Sequence, residues 1–271
     1  MLNRKIALKD EANSGPFVKT GQRYFIRLNK NERAQHIILV ICFIVLAVTG
    51  FMVKIPEEIV QRFGTSGTAV FYFRGLLHRM AGTIMILVCA YHGFYLLLAP
   101  AGRRYLIDMF PKPRDLKDMI FNIFYYLGFK KEPPEFDRFS YKQKIEYFAL
   151  IAGSTLMSLS GLLLWTEYRW SKFILDIAKI VHGMEAILAC LAIIVWHLYE
   201  VHLRPHKFPI DNLWITGVID EEEMKAEHPL HYKRIMDDPE LRKIYILGGD
   251  QEEVNTPTAR QVTMADLPRV S

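Results

Sequence analysis

Four stretches of this 271-residue chain are long, apolar and nearly free of charge, and they limit its fold more than any other feature. Residues 34–53 lie uncharged between Arg33 and Lys54. Residues 80–102 lie between Arg79 and Arg103, and residues 147–166 between Glu146 and Glu167. A fourth stretch, between Lys179 and Arg204, is interrupted only by Glu185 and Glu200. About 20 apolar residues suffice to cross a bilayer as a helix. The first stretch starts too far into the chain and is too long for a cleaved signal peptide, and it lacks a small-residue cleavage site. The prediction is an all-α integral membrane four-helix bundle, with spans at about 34–53, 76–99, 146–166 and 179–203.

Hydrophobic residues make up 51% of the chain and charged ones 23%, so the charge must be concentrated between the spans. Arg4, Lys5, Lys9, Lys19, Arg23, Arg27, Lys30 and Arg33 cluster at the N-terminus, and residues 103–144 hold ten Lys or Arg. The other two loops are poorer in basic residues. The bias of Lys and Arg toward the cytoplasm then predicts that both termini and the middle loop face the cytoplasm of a bacterial or archaeal cell, across its inner membrane. The net charge of +5 reads as a topology signal. It is not a nucleic-acid footprint, because no basic, aromatic-interleaved soluble segment accompanies it.

Three parts are expected: a cytoplasmic arm (residues 1–30), the four-helix membrane domain (31–207) and a cytoplasmic C-terminal extension (208–271). Asn31 is a candidate N-cap for the first helix. In the middle loop, Leu116, Met119, Ile120, Ile123, Phe124 and Leu127 recur at helical spacing, which predicts a helix in the interface plane or one packed on the bundle. Asp220 precedes Glu221, Glu222 and Glu223, the pattern of a short helix with acidic residues at its positive end. Beyond Asp237 little periodicity remains, and a surface-hugging tail is expected.

Cys42, Cys89 and Cys190 all fall inside predicted helices, where they read as small packing residues. No CxxC or CxxCH occurs, which excludes covalently attached c-type haem and argues against an iron–sulfur cluster or zinc site in this chain.

Histidine carries the chemistry. His36, His78, His92, His182, His197 and His202 lie in or at the edges of the spans, where a strongly polar side chain is costly and marks a functional candidate. His78 and His92 return to nearly the same helix face roughly 21 Å apart, and His182 and His197 are offset by about 60° and roughly 22 Å. The second and fourth helices run in the same direction, so these residues form two matched levels. His78 and His182 lie toward the outer surface, His92 and His197 toward the inner. Two facing imidazoles at one level are what bis-histidine haem b requires, the protein supplying axial ligands and a dry slot. Gly82 and Gly183, beside the outer pair, are expected to admit a macrocycle close to the backbone. Arg74 and Arg79 are candidates for its propionates or for lipid headgroups.

ERAQHIILVICFIVLAVTGF, GLLHRMAGTIMI, IVHGMEA, VWHLYEVH and AEHPLHYKRI resemble segments of the membrane b-type cytochromes of the formate dehydrogenase gamma-subunit and hydrogenase cytochrome b type. The resemblance covers about residues 31–235. It implies an outer haem on His78 and His182 and an inner haem on His36 and His197, with His92 not a ligand. The 14- and 15-residue spacings instead resemble cytochrome b of the quinol–cytochrome c complexes, in which His92 pairs with His197. Both pairings stay open, as does a third haem using leftover histidines such as His36 with His202. The resemblance also implies a quinone site beside the inner haem. The family's polar residue there, commonly Asn, is replaced by Ser140, which is also a candidate helix cap. Glu185, one turn after His182, is unusual for the family.

The expected function is that of a cytochrome b subunit of a respiratory oxidoreductase. It would pass electrons through two haem b, or three, between a periplasmic partner and the quinone pool, with no catalytic residue of its own. The segment HLRPHKFPIDNLWITG is similar to cytochromes b that associate with multihaem cytochromes c, so such a cytochrome is the preferred partner. An iron–sulfur subunit of a dehydrogenase, hydrogenase or reductase is the alternative. A competing class is a small polytopic transporter or metal-ion permease using membrane histidines. Such a chain more often shows broken helices or paired repeats, and no proline interrupts these runs before Pro100.

Overall fold

A computed structural model describes residues 22–248 apart from His206. The predicted basic positions 4, 5, 9 and 19 and the end of the predicted tail lie outside the described residues. The chain divides into two compact units. Among the described residues, one comprises Lys30–Pro134 and Phe139–Ile215, the other 22–29, Glu135–Arg138 and 216–248.

The larger unit contains four helices long and apolar enough to cross a membrane: Lys30–Lys54, Gly64–Leu98, Tyr141–Trp165 and Lys172–Leu203. The first is crowded with β-branched residues, which have low helix propensity in water. In lipid every backbone N–H and C=O must be satisfied within the segment, so the helix wins regardless. The second begins at Gly64, well before the expected position near 76, with a short helix Glu57–Arg62 ahead of it. Ile41, Ile44, Val48, Leu87, Leu97, Leu159 and Leu188 are among many exposed apolar side chains, the surface expected of helices whose solvent is lipid.

The first and second spans pack along each other, as do the third and fourth, whereas the two hairpins so formed touch sparsely. The fourth span is α-helical over Lys172–Leu191 and continues with π-helical turns over Ala192–His197 and Tyr199–Leu203. Such wider turns are frequent at functional sites. They also invalidate a phase of 100° per residue between His182 and His197.

The middle loop forms helices Pro100–Met109 and Pro113–Tyr126, each with proline in its first turn, where a missing N–H costs nothing. In the second of these the polarity is inverted. Asn122 is buried and donates to the Tyr141 hydroxyl (2.9 Å), while Leu116, Ile120, Ile123 and Phe124 are exposed. Lys144 at the start of the third span ties this helix down through Asp115 (2.8 Å) and the Phe110 carbonyl (3.3 Å). Lys142 pairs with Glu200 (3.0 Å) between the third and fourth spans, which accounts for one of the two charges interrupting the fourth apolar run.

The smaller unit adds a three-stranded antiparallel sheet that periodicity did not reveal. Strand Tyr24–Ile26 lies between Val218–Asp220 and Ile246–Leu247. Strands of two or three residues are too short to show an alternation. Asp220 caps the helix Glu221–Glu227 by accepting from the Glu223 N–H (2.8 Å), as its sequence predicts. Two expectations are corrected. Asn31 lies inside the first helix, not at its cap. The stretch beyond Asp237 forms a helix, Pro239–Tyr245, capped by Asp238 and started by Pro239. Phe25, Met224, Ile235 and His231 are fully buried. Arg27 reaches His231 Nδ1 (3.2 Å), His228 Nε2 (3.0 Å) and the Arg138 carbonyl (2.5 Å). Burial, together with the neighbouring cations of Arg27 and Arg138, holds the His231 imidazole far below its usual range, so it stays neutral.

Candidate functional site

Imidazoles from the two hairpins meet at two levels. At the first, His78 of the second span faces His182 of the fourth, with ring centroids 6.3 Å apart. Each ring is supported from the neighbouring helix of its own hairpin in the same way. Thr49 Oγ donates to the Val45 carbonyl (2.5 Å) and lies 2.8 Å from His78 Nδ1. Ser160 Oγ donates to the Leu156 carbonyl (2.8 Å) and lies 2.9 Å from His182 Nδ1. A hydroxyl has a single hydrogen. With that hydrogen given to the backbone, the oxygen accepts from Nδ1–H, and both imidazoles are left with a free lone pair on Nε2.

The residue after each hydroxyl is glycine, and both glycines lie against the rings. A Cβ at Gly50 would meet His78 Cε1 at 3.4 Å, and one at Gly161 would meet His182 Cε1 at 3.3 Å. At Gly82 a Cβ would meet Leu46 at 3.8 Å, and at Gly183 it would meet no described atom within 4 Å, so neither lies against a ring and both leave space beside the helix. Sequence reasoning missed Ser160-Gly161. The readable signal was the repetition of a hydroxyl-glycine pair in the partner helix of each histidine. Arg74 donates to the Thr49 carbonyl (3.1 Å), and Arg79 lies over the Trp165 ring (5.8 Å).

At the second level His36 of the first span faces His197 of the fourth, with centroids 6.4 Å apart. The supports differ here. His197 Nδ1 lies 3.1 Å from the Glu146 carboxylate, and His36 Nδ1 is buried with no hydrogen-bond partner among the described residues. Trp214 flanks His36 at 6.4 Å between centroids.

The remaining candidates are held elsewhere. His92 spends both ring nitrogens on protein, Nδ1 on Gln35 Oε1 (2.7 Å) and Nε2 on the Tyr147 hydroxyl (2.8 Å). Gln35 continues this chain to Asn31 (2.6 Å), and Asn31 to Tyr91 (2.7 Å). His202 Nδ1 accepts from the Asp211 backbone N–H (3.2 Å), which places the proton of the neutral ring on Nε2. Ser140 closes a capping box with Gln143, its backbone N–H reaching Gln143 Oε1 (2.9 Å). Glu185 packs where a Cβ on Gly153 would stand, 2.5 Å from its Oε1.

These residues fit a haem. A metal–imidazole bond is about 2.0–2.1 Å and the ring centre lies about 1.2 Å behind its nitrogen, so two imidazoles sharing one iron have centres roughly 6.4 Å apart. Both pairs match that separation. Among the described residues no three His, Cys, Asp or Glu assemble to hold a bare metal ion. Two ligands suit an ion whose other positions a macrocycle fills. Both pairs also bridge the sparsely touching hairpins, where a planar group would lie.

Comparison with known proteins agrees. Formate dehydrogenase, cytochrome b556(fdo) subunit, of Escherichia coli K12 is 24% identical over 226 residues, covering 78% of this chain and 92% of that one. The corresponding subunits of E. coli O6:H1 and O157:H7 match equally. The family model of prokaryotic cytochrome b561 matches residues 27–207, all four spans included. The chain is therefore a multi-pass membrane cytochrome b, an electron-transfer protein that uses haem b, and it belongs to the prokaryotic cytochrome b561 family.

Proposed function

We propose that this chain is the membrane subunit of a quinone-linked respiratory dehydrogenase. It binds two haem b, one between His78 and His182 and one between His36 and His197, and connects a redox partner at the first level to the quinone pool at the second. The observation that carries the reading is the pair of imidazole couples, 6.3 and 6.4 Å between centroids, bridging two helical hairpins. Haem b, when bound, supplies one-electron oxidation and reduction of its iron. The chain's own residues do the rest. The four imidazoles hold the metal. Thr49 and Ser160 fix the tautomer and plane of two of them, as the outer partners of metal-bound histidines do. The apolar spans keep water from the slot.

His92 is assigned a supporting role, because both its nitrogens are occupied by Gln35 and Tyr147. The ring nitrogens of His202 argue likewise against a third haem. The similarity to cytochrome subunits named for formate dehydrogenase favours an iron–sulfur subunit of a dehydrogenase as the partner, ahead of a multihaem cytochrome c. The excess of Lys and Arg over residues 103–144 orients the second level toward the cytoplasm. The quinone is then reduced or oxidised near the inner face of the cell membrane, and the partner docks outside.

Haem quantitation on the purified chain tests the reading. The expected result is two haem b per chain, falling to one in His78→Ala and to one in His197→Ala. A colourless preparation that moves metal ions across a membrane would overturn it in favour of a permease.

A further inference from the structure

The two histidine levels differ in what grips the ligands from behind. At the first, both Nδ1 atoms meet neutral hydroxyls, Thr49 Oγ at 2.8 Å and Ser160 Oγ at 2.9 Å. At the second, His197 Nδ1 meets the carboxylate of Glu146 at 3.1 Å. A carboxylate within a membrane span is costly. Its position one turn into the third span therefore calls for an account. The basic side chain one turn earlier does not supply it, because Lys142 is taken by Glu200 (3.0 Å) and the Tyr126 hydroxyl (3.2 Å).

We infer that Glu146 is a positioning residue that sets the potential of the second haem below that of the first. This rests on His197 being a ligand there. An anionic acceptor pulls the Nδ1 proton more strongly than a hydroxyl does, and the imidazole becomes a more basic donor through Nε2. A more basic ligand, with a fixed negative charge behind it, stabilises the more positive ferric state over the ferrous one. Hydrogen bonding behind the axial ligand is one of the few levers a protein has on haem potential. The hydroxyls at the first level exert it weakly and equally on both ligands. Two chemically identical haems with the same ligand set are thereby made unequal, and an electron shared between them favours the first level.

Redox titration of the full chain, following each haem by its visible and electron paramagnetic resonance signals, tests this. In Glu146→Gln the acceptor becomes neutral at nearly constant shape. The reduced-to-oxidised ratio of one haem at fixed ambient potential should rise about tenfold, an upward shift of about 59 mV for a one-electron couple. The other haem should stay within twofold. The g-values of the affected ferric haem should move with it, while Glu146→Asp, which keeps a carboxylate, should remain near the parent. Unchanged potentials in Glu146→Gln, or equal shifts in the Gln and Asp variants, would overturn the inference. So would loss of the haem from Glu146→Gln with retention in Glu146→Asp, since the carboxylate would then serve to hold the ring. His197→Ala, run in parallel, separates the two ideas: two haems surviving in it would defeat the ligand assignment itself.

Discussion

The two ends of the bundle solve one problem with different materials. Each brings two imidazoles from opposite hairpins to nearly equal separations, 6.3 and 6.4 Å. At the first level the surroundings are almost a repeat. A hydroxyl-glycine pair from the first span supports His78, and another from the third span supports His182. At the second level the repeat is gone: a carboxylate supports His197, and among the described residues none hydrogen-bonds to His36 Nδ1. Spacing between ligands is thus a property the two levels share, and the hydrogen bonding behind them is where they can be made functionally distinct.

The sharpest way to break this comparison is to delete a ligand from each level. His78→Ala or His182→Ala should remove one haem and leave the second level's spectrum intact, and His36→Ala or His197→Ala should do the reverse. Loss of all haem from any one of them would show that the levels do not fill independently.

A smaller effect is expected behind the ring. Thr49→Val removes the hydroxyl that accepts from the His78 Nδ1–H, a cost of about 1 kcal/mol. Removing such a partner typically weakens metal affinity about 10–100-fold. Haem retention against apomyoglobin as a competing acceptor should fall accordingly at the first level only. Ser160→Ala should match it, because the two hydroxyls occupy equivalent positions.

Crowding the rings should cost less. Gly161→Val places a branched side chain where a Cβ alone already approaches His182 Cε1 to 3.3 Å. The expected loss is about 1 kcal/mol, the low end for overpacking, seen as a lower melting temperature of the haem-loaded chain and a shifted absorbance band. The smallest effect belongs to His92→Leu. It should leave haem number and spectrum unchanged, since Gln35 and Tyr147 already use both nitrogens of that ring. A lost haem there would restore the His92–His197 pairing and dissolve the comparison.

Much of this is legible in the amino-acid sequence. Span number and approximate placement follow from the length of uncharged sequence, because a bilayer imposes its thickness on any chain that crosses it. The His78–His182 pair was legible too, since both residues lie on regular α-helix, where spacing translates into depth and direction. The inner pairing was not. His197 sits on π-helical turns whose phase cannot be counted from an α-helix, and two resemblances offered it different partners, His36 and His92, at the same depth. The small sheet was hidden by the brevity of its strands.

What the amino-acid sequence determined by itself, then, is a four-span membrane bundle carrying imidazoles at two depths. That information is one-dimensional: hydropathy sums over a window, and depth accumulates residue by residue along a helix. Tertiary structure decided which imidazoles meet and what stands behind each. Those are relations between helices far apart in the chain. A hydroxyl at position 49 or 160, or a carboxylate at 146, acquires its role only when packing brings it within hydrogen-bonding distance of a ring.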